Sequence, residues 1–258
     1  MTASPTPSLS GHATVIAGGT SGINFGIAEA FAEAGAKVFV ISRSADKVDA
    51  AVAALSRLGD AAGATADVRD YDAVEAAIGQ AAERFGALDC VVSGAAGNFI
   101  AKAAEMSPRA FRTVVDIDLI GTYHVARAAY PHLRRPGASL IAISAPQATV
   151  PLPFQAHVCA AKAGVEMLIK ALAQEWGPEG IRANALTPGA VAGTEGMERL
   201  APTPEAQARV TRAIALRRFA DRREIADVAV FLASDASRYV TGAVVAADGG
   251  LATVPVGG

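Results

Sequence analysis

The run AGGTSGINFGIA at residues 17–28 follows a short apolar segment and leads into alanine-rich sequence. Glycines at 18 and 22 in such a strand-to-helix turn let backbone N–H groups approach a pyrophosphate, and a helix N-terminus adds partial positive charge. Its G-x-x-x-G spacing differs from the G-x-G-x-x-G of many dinucleotide sites, so the argument rests on its place after a first strand. Further on, the second apolar run ends VISRS at residues 40–44. A ribose 2′-hydroxyl calls for a carboxylate there; Ser42 is not one, and the adjacent Arg43 suits a 2′-phosphate. NADP(H) is therefore the expected cofactor, the plainer alternative being a solvated arginine after a strand.

A second stretch, QATVPLPFQAHVCAAK at residues 147–162, contains His157 and closes on Lys162. The uncharged run 136–161 is long enough to cross a bilayer. Pro146, Pro151 and Pro153 with Gln147, Gln155 and His157 instead make it a strand followed by a loop.

These residues need a scaffold, and composition bounds it. The chain has 258 residues, 52% apolar and 19% charged, enough for one large domain whose core needs no disulfide or metal staple. A net charge of −2 leaves no electrostatic footprint for nucleic acid or an anionic membrane, and the pairs Arg217–Arg218 and Arg222–Arg223 are too short to alter that. Two cysteines, Cys90 and Cys159, argue for a reducing compartment, and the four histidines (His12, His124, His132, His157) show no metal-ligand pairing. The opening MTASPTPSLSGHA lacks a basic and an apolar region, so residues 1–12 read as a flexible tail and 13–258 as a single domain.

Apolar runs at 14–17, 37–41, 88–92, 139–143, 181–186 and 243–247 mark strands buried on both faces. Between them, Ile27, Phe31 and Ala34, or Val74, Ala77 and Ile78, keep helical spacing. Ser107–Pro108 reads as N-cap and first helical residue, while Gly35, Gly86 and Gly177–Pro178 fall where helices should stop. Alternating strands and helices predict a doubly wound α/β fold with a parallel sheet covered on both faces.

With AGGTSGI, Ala66-Asp67-Val68, VVSGAAG, Lys162, TPGA at 187–190 and FLASDASRYVTGAVVAADGG at 231–250, the chain resembles the short-chain dehydrogenase/reductase superfamily from about residue 13 to 250. The resemblance implies a Rossmann-like seven-stranded sheet, a nicotinamide cofactor and a homotetramer. It also implies cofactor contacts from Gly18, Thr20, Ser21, Gly22 and Ile23 at the phosphate turn. Arg43, Ser44, Asp67, Val68, Ala95, Lys162, Pro188, Gly189 and Val191 would complete the cofactor contacts, with Lys162 at the nicotinamide ribose.

The chain also departs from that pattern. The usual tyrosine is Val158, the usual serine is Ala145 beside Ser144, and the usual asparagine is Asp118. Asn-Asn-Ala-Gly has become Ser93-Gly94-Ala95-Ala96, and the third glycine of the phosphate turn is Asn24. One branch matches these changes. AAGNF at 95–99, DIDLIGTYHV at 116–125, the histidine five before the lysine, AxEWGPxxIRxN at 173–184 and GTEG at 193–196 resemble peroxisomal-type 2,4-dienoyl-CoA reductases.

That resemblance implies NADPH-dependent reduction of an unsaturated acyl-CoA. A ketone reductase must protonate an alkoxide as it forms, whereas hydride at the δ-carbon of a dienoyl thioester gives a dienolate that can be stabilised first and protonated on carbon afterwards. Asn98 would hold the thioester oxygen, Lys162 the cofactor ribose, and Asp118 with Asp248 would share a proton and feed a water. Each has a plainer reading: Asp248 as part of a turn, Asp118 as a helix-surface carboxylate, Asn98 as a loop-shaping residue, His157 as a satisfied loop histidine.

Residues 194–216, with Met197, Leu200, Pro202 and Pro204, are expected to form a lid over the acyl chain, with Arg199 meeting a CoA phosphate. The final Val-Gly-Gly differs from a peroxisomal Ser-Lys-Leu address, so the expected compartment is the cytoplasm, with no membrane or nucleic-acid partner. Two rivals stand beside this reading. A 3-oxoacyl or other carbonyl reductase would need an alternative proton donor near Val158, Tyr123 being the candidate phenol. A non-catalytic NADP-binding protein would retain Lys162, Asn98 and Asp118 without a reaction to use them in.

Overall fold

The computed structural model describes residues 7–253. Among them, seven parallel strands, β1 (Ala13–Ala17), β2 (Lys37–Ser42), β3 (Ala61–Thr65), β4 (Cys90–Ser93), β5 (Ser139–Ile143), β6 (Arg182–Pro188) and β7 (Val244–Ala247), lie in the order β3-β2-β1-β4-β5-β6-β7. Alternation along β1 sends Val15 and Ala17 into the core on one face and Ile16 into that on the other, which is why its apolar run is unbroken.

Nine α-helices among the described residues connect and flank the strands: α1 (Gly22–Glu33), α2 (Ala45–Leu55), α3 (Tyr71–Phe85), α4 (Pro108–Val115), α5 (Gly121–Ala129), α6 (Ala156–Trp176), α7 (Glu195–Leu200), α8 (Pro204–Ala213) and α9 (Arg222–Ala233). Helices α1, α2 and α9 cover one face of the sheet, and α3, α5 and α6 the other. Local signals act as expected. Ser107 caps α4 by accepting from the Ala110 amide at 3.1 Å with Pro108 behind it, and Gly86 ends α3 with φ of 86°.

Strand β3 is absent from the runs that the sequence marks. Its sequence AAGAT carries little apolar bulk because it is an edge strand, and a Cβ on Gly63 would lie 2.7 Å from both Val40 O and Val48 Cγ1. The N-terminal stretch also differs from a free tail. Leu9 is fully buried, its amide donates to Ala34 O at 2.9 Å, and that of Gly11 donates to Gly35 O at 3.1 Å. From Leu9 onward the chain is packed onto the end of α1, whereas residues 1–6 lie outside the described part.

Strand order reverses between β1 and β4, which opens a crevice at their C-terminal ends where doubly wound sheets bind ligands. No helix among the described residues is long and apolar enough to cross a membrane.

Candidate active site

One cavity of about 1570 Å³ occupies that crevice, larger than a single small-molecule pocket. Gly18 and Ser21 line it from the turn after β1, Arg43 from that after β2, and Gly94 to Asn98 from the loop after β4. Segments after β5 and β6 and helices α7 and α8 complete the wall.

At the dinucleotide end, α1 starts at Ser21 without a side-chain cap and carries no acid in its first turn, so its leading N–H groups remain available to an anion. Gly18 has φ of 79°, and a Cβ there would lie 2.8 Å from the Ala95 amide nitrogen. The backbone is thus shaped for close approach. Asn24 replaces a glycine but is used: its Nδ2 donates to Gly94 O at 2.7 Å and ties the phosphate turn to the loop after β4. Arg43 lines the far end with no side-chain hydrogen bond or ion pair among the described residues, and Lys47, which sequence reasoning passed over, stands with it. Asp67 lines the wall nearby, its carboxyl held below the usual range chiefly by hydrogen bonds from Arg69. These features fit a phosphorylated dinucleotide. Ser44, also expected at the cofactor, does not line the cavity and caps α2, accepting from the Lys47 amide at 3.4 Å.

Arg43→Asp is expected to reverse the preference for NADPH over NADH by about 100-fold, the scale of a charge-assisted contact exchanged for repulsion. Unchanged Kd values for both dinucleotides, read by fluorescence titration, would sink the assignment.

At the reacting end, Asp118 lies on a π-helical turn, Asp116–Ile120, between α4 and α5, a distortion that recurs at functional sites. The turn points Asp118 inward to full burial. Its backbone carbonyl accepts from Thr122 Oγ1 at 2.6 Å, and Ser93 Oγ donates to Thr122 Oγ1 at 3.1 Å, pinning the turn to β4. Asp118 Oδ1 accepts from the Gly97 amide at 2.7 Å. Oδ2 lies 3.1 Å from Lys162 Nζ without hydrogen-bond alignment, so the pair is held by charge. Lys162 Nζ donates to Ile143 O at 2.9 Å.

Sequence comparison agrees with this architecture. Residues 17–252 match the family model described as enoyl-(acyl carrier protein) reductase. The chain is 40% identical to a peroxisomal 2,4-dienoyl-CoA reductase [(3E)-enoyl-CoA-producing] of Saccharomyces cerevisiae, over 93% of this chain and 84% of that one. It is 41% identical to the protein of the same description from Pongo abelii, over 91% and 82%. The chain belongs to the short-chain dehydrogenase/reductase family. The crystal structure of a gluconate 5-dehydrogenase from Burkholderia cenocepacia in complex with NADP and tartrate superposes with a TM-score of 0.91 at 30% identity, covering 96% of this chain and 98% of that one.

Within this family the missing phenol is filled by packing. Val158 is 3% exposed and packs with Val114 and Ala161 while lining the cavity. None of the four tyrosines lines the cavity, and Tyr123 stands on α5 at 46% exposure. Ser144 does not stand in for the absent serine: its Oγ donates to the buried Glu166 Oε1 at 2.7 Å. Burial pushes the Cys90 thiol up to about 12, which leaves it inert.

The expected pairing of Asp118 with Asp248 is not formed. Asp248 does not line the cavity, and its Oδ1 and Oδ2 accept from the Gly250 and Ala252 amides, each at 2.8 Å. It builds the turn after β7, and Asp118 takes Lys162 as its partner instead. Asn98 lines the cavity with Oδ1 accepting from Gln155 Nε2 at 3.0 Å. Met197 and Leu200 reach the wall from α7, but Arg199 does not line it; Arg209, Arg212 and Arg217 do.

His157 is neither in a loop nor satisfied. It sits on α6, fully buried and stacked on Phe99 at 4.1 Å between ring centroids, with no hydrogen bond to either ring nitrogen. Burial lowers its pKa, while the nearby Phe99 backbone and the Asp118 charge act in the opposite sense. A base whose folded pKa is depressed binds protons more readily when unfolded, so stability is expected to fall as pH drops below about 6.5, the unfolded value. Thermal midpoints measured on both sides of that value should converge in His157→Leu. An equal acid slope in the variant would remove His157 as the cause.

Proposed function

We propose that this oxidoreductase reduces 2,4-dienoyl-CoA thioesters to 3-enoyl-CoA with NADPH. The observation that carries the reading is a cavity with no phenol, where Val158 takes the phenol's position and a buried lysine–carboxylate pair and an asparagine line the same wall. A dienolate asks for donors at its oxygen before it asks for a proton.

When bound, the cofactor supplies the hydride that adds to the δ-carbon of the diene. Charge then moves through the conjugated system to the thioester oxygen, which Asn98 Nδ2 would hold because Oδ1 is already occupied. Lys162, buried beside Asp118, contributes positive potential that the low-dielectric surroundings strengthen. Asp118 Oδ2, fully buried and without a hydrogen bond, faces Lys162 as its counter-charge, and a water in the cavity would deliver the proton. Protonation at the α-carbon completes the 3-enoyl product.

Met197, Leu200 and Val210 offer an apolar wall to the acyl chain, and Arg209, Arg212 and Arg217 offer cations to a carrier phosphate. Replacing Arg209 and Arg212 together by alanine should raise KM about tenfold for CoA thioesters and leave kcat within twofold, the signature of uniform binding. Exposed Phe111, Ile120, Tyr123 and Met167 on and between α4, α5 and α6 support assembly as a homotetramer, which light scattering tests.

The deciding experiment follows NADPH oxidation with a 2,4-dienoyl-CoA beside a 3-oxoacyl-CoA and a 2-enoyl-CoA. Turnover of the dienoyl thioester alone supports the reading. Turnover of the 3-oxo substrate would move it to carbonyl reduction, and NADPH binding without turnover to a binding role.

A further inference from the structure

Three amide side chains, all from residues that line the cavity, are hydrogen-bonded in a row. Gln147 Nε2 donates to Gln155 Oε1 at 2.9 Å, and Gln155 Nε2 donates to Asn98 Oδ1 at 3.0 Å. Gln147 and Gln155 are 9% and 3% exposed, so water competes little for these bonds. Gln155 occupies the N-cap position of α6, yet its side chain makes no cap bond there. It is committed to the amide chain instead. The backbone is arranged to match: Phe154 holds φ of 68°, a strained conformation for a residue with a side chain, and its carbonyl accepts from the Ala101 amide at 3.0 Å. The loop carrying Asn98 and the segment carrying Gln155 are thereby locked to each other.

An asparagine amide has an acceptor end and a donor end of similar shape, and nothing in its own packing decides which one faces a ligand. We propose that Gln155 is the positioning residue that fixes the polarity of Asn98, by donating to Oδ1 so that Nδ2 is the group presented to the thioester oxygen. Run in the opposite sense, the same chain would present Oδ1 and repel the developing dienolate. Gln147 holds the outer end by occupying Gln155 Oε1. The inference rests on the assignment of Asn98 to the substrate oxygen, and the experiment separates the two.

Gln155→Glu imposes the reversed polarity. When ionised, the introduced carboxylate only accepts, so Asn98 must turn Nδ2 toward it; when protonated, the same carboxyl donates again and restores the native sense. The expected kcat near pH 8 is about 100-fold below wild type, the scale of one lost oxyanion donor. Activity should recover at least tenfold as pH falls through the pKa of the introduced carboxyl, which burial raises toward neutrality. Wild type and the uncharged Gln155→Met should lack that limb, with Gln155→Met about tenfold down in kcat because Nδ2 is offered only part of the time. NADPH Kd and thermal midpoint, measured alongside, report whether the fold survives.

Asn98→Ala is the control for the underlying assignment. If it keeps full kcat, the role of Asn98 and the inference fall together. If it loses activity while Gln155→Glu turns over at wild-type rate across the pH range, Asn98 stands and the positioning role is overturned. Should Gln155→Glu fail to fold, Gln155→Met decides: an undiminished kcat overturns the inference.

Discussion

Asp118→Asn is expected to lower kcat by about 100-fold or more while NADPH Kd changes by less than about tenfold. Asparagine preserves the shape and can still accept the Gly97 N–H that Oδ1 takes at 2.7 Å, so the loop carrying Asn98 should keep its place. What it removes is the negative charge 3.1 Å from Lys162 Nζ and the acceptor at Oδ2. Asp118→Ala adds a structural loss. It strips a buried lysine of its counter-ion and the Gly97 amide of its acceptor, and breaking a buried pair in this way costs about 3–5 kcal/mol. The double variant Asp118→Ala/Lys162→Met should regain much of that stability without regaining turnover, since no uncompensated charge remains. Turnover of Asp118→Asn within a few-fold of wild type would refute the catalytic role.

Gly18→Ala is expected to weaken NADPH binding by more than about 100-fold and to lower the thermal midpoint, where Gly22→Ala does much less. Both glycines have positive φ, 79° and 57°, so both substitutions carry a conformational cost on the order of 1 kcal/mol. Only at position 18 does the new Cβ meet rigid main chain. It would lie 2.8 Å from Ala95 N, 3.0 Å from Ala95 Cα and 3.1 Å from Gly94 C, whereas nothing lies within 4 Å at position 22. Relief requires the turn after β1 to move away from the loop after β4, which disrupts both walls of the phosphate site. Titration of the two variants with NADPH, beside their melting curves, makes the comparison; equal effects would mean that strain alone matters.

The branch-specific departures point to a purpose. A valine in place of the phenol and a serine turned onto Glu166 remove the machinery for protonating a carbonyl oxygen. The Asp118–Lys162 pair and the amide chain ending at Asn98 suit a substrate whose charge must be held on oxygen and whose proton goes to carbon. Specificity here comes from what the cavity omits as much as from what it contains.

Much of this was legible in the sequence because local rules decide it. Continuous apolar runs become strands buried on both faces, Ser107–Pro108 starts a helix, Gly86 ends one, and the glycine turn after the first strand lines the cavity. The edge strand β3 escaped because Ala and Gly carry little of the apolar signal on which such a reading depends. The tertiary structure alone decided the partners. Asp118 meets Lys162 and Gly97, Asp248 turns to its own following amides, Gln155 reaches Asn98, and His157 is buried against Phe99. Asp118 and Lys162 stand on separate helical segments, and Gln155 and Asn98 in separate loops. Spacing along a chain fixes the direction of a side chain within its element, but the packing of elements over the sheet fixes what that side chain meets.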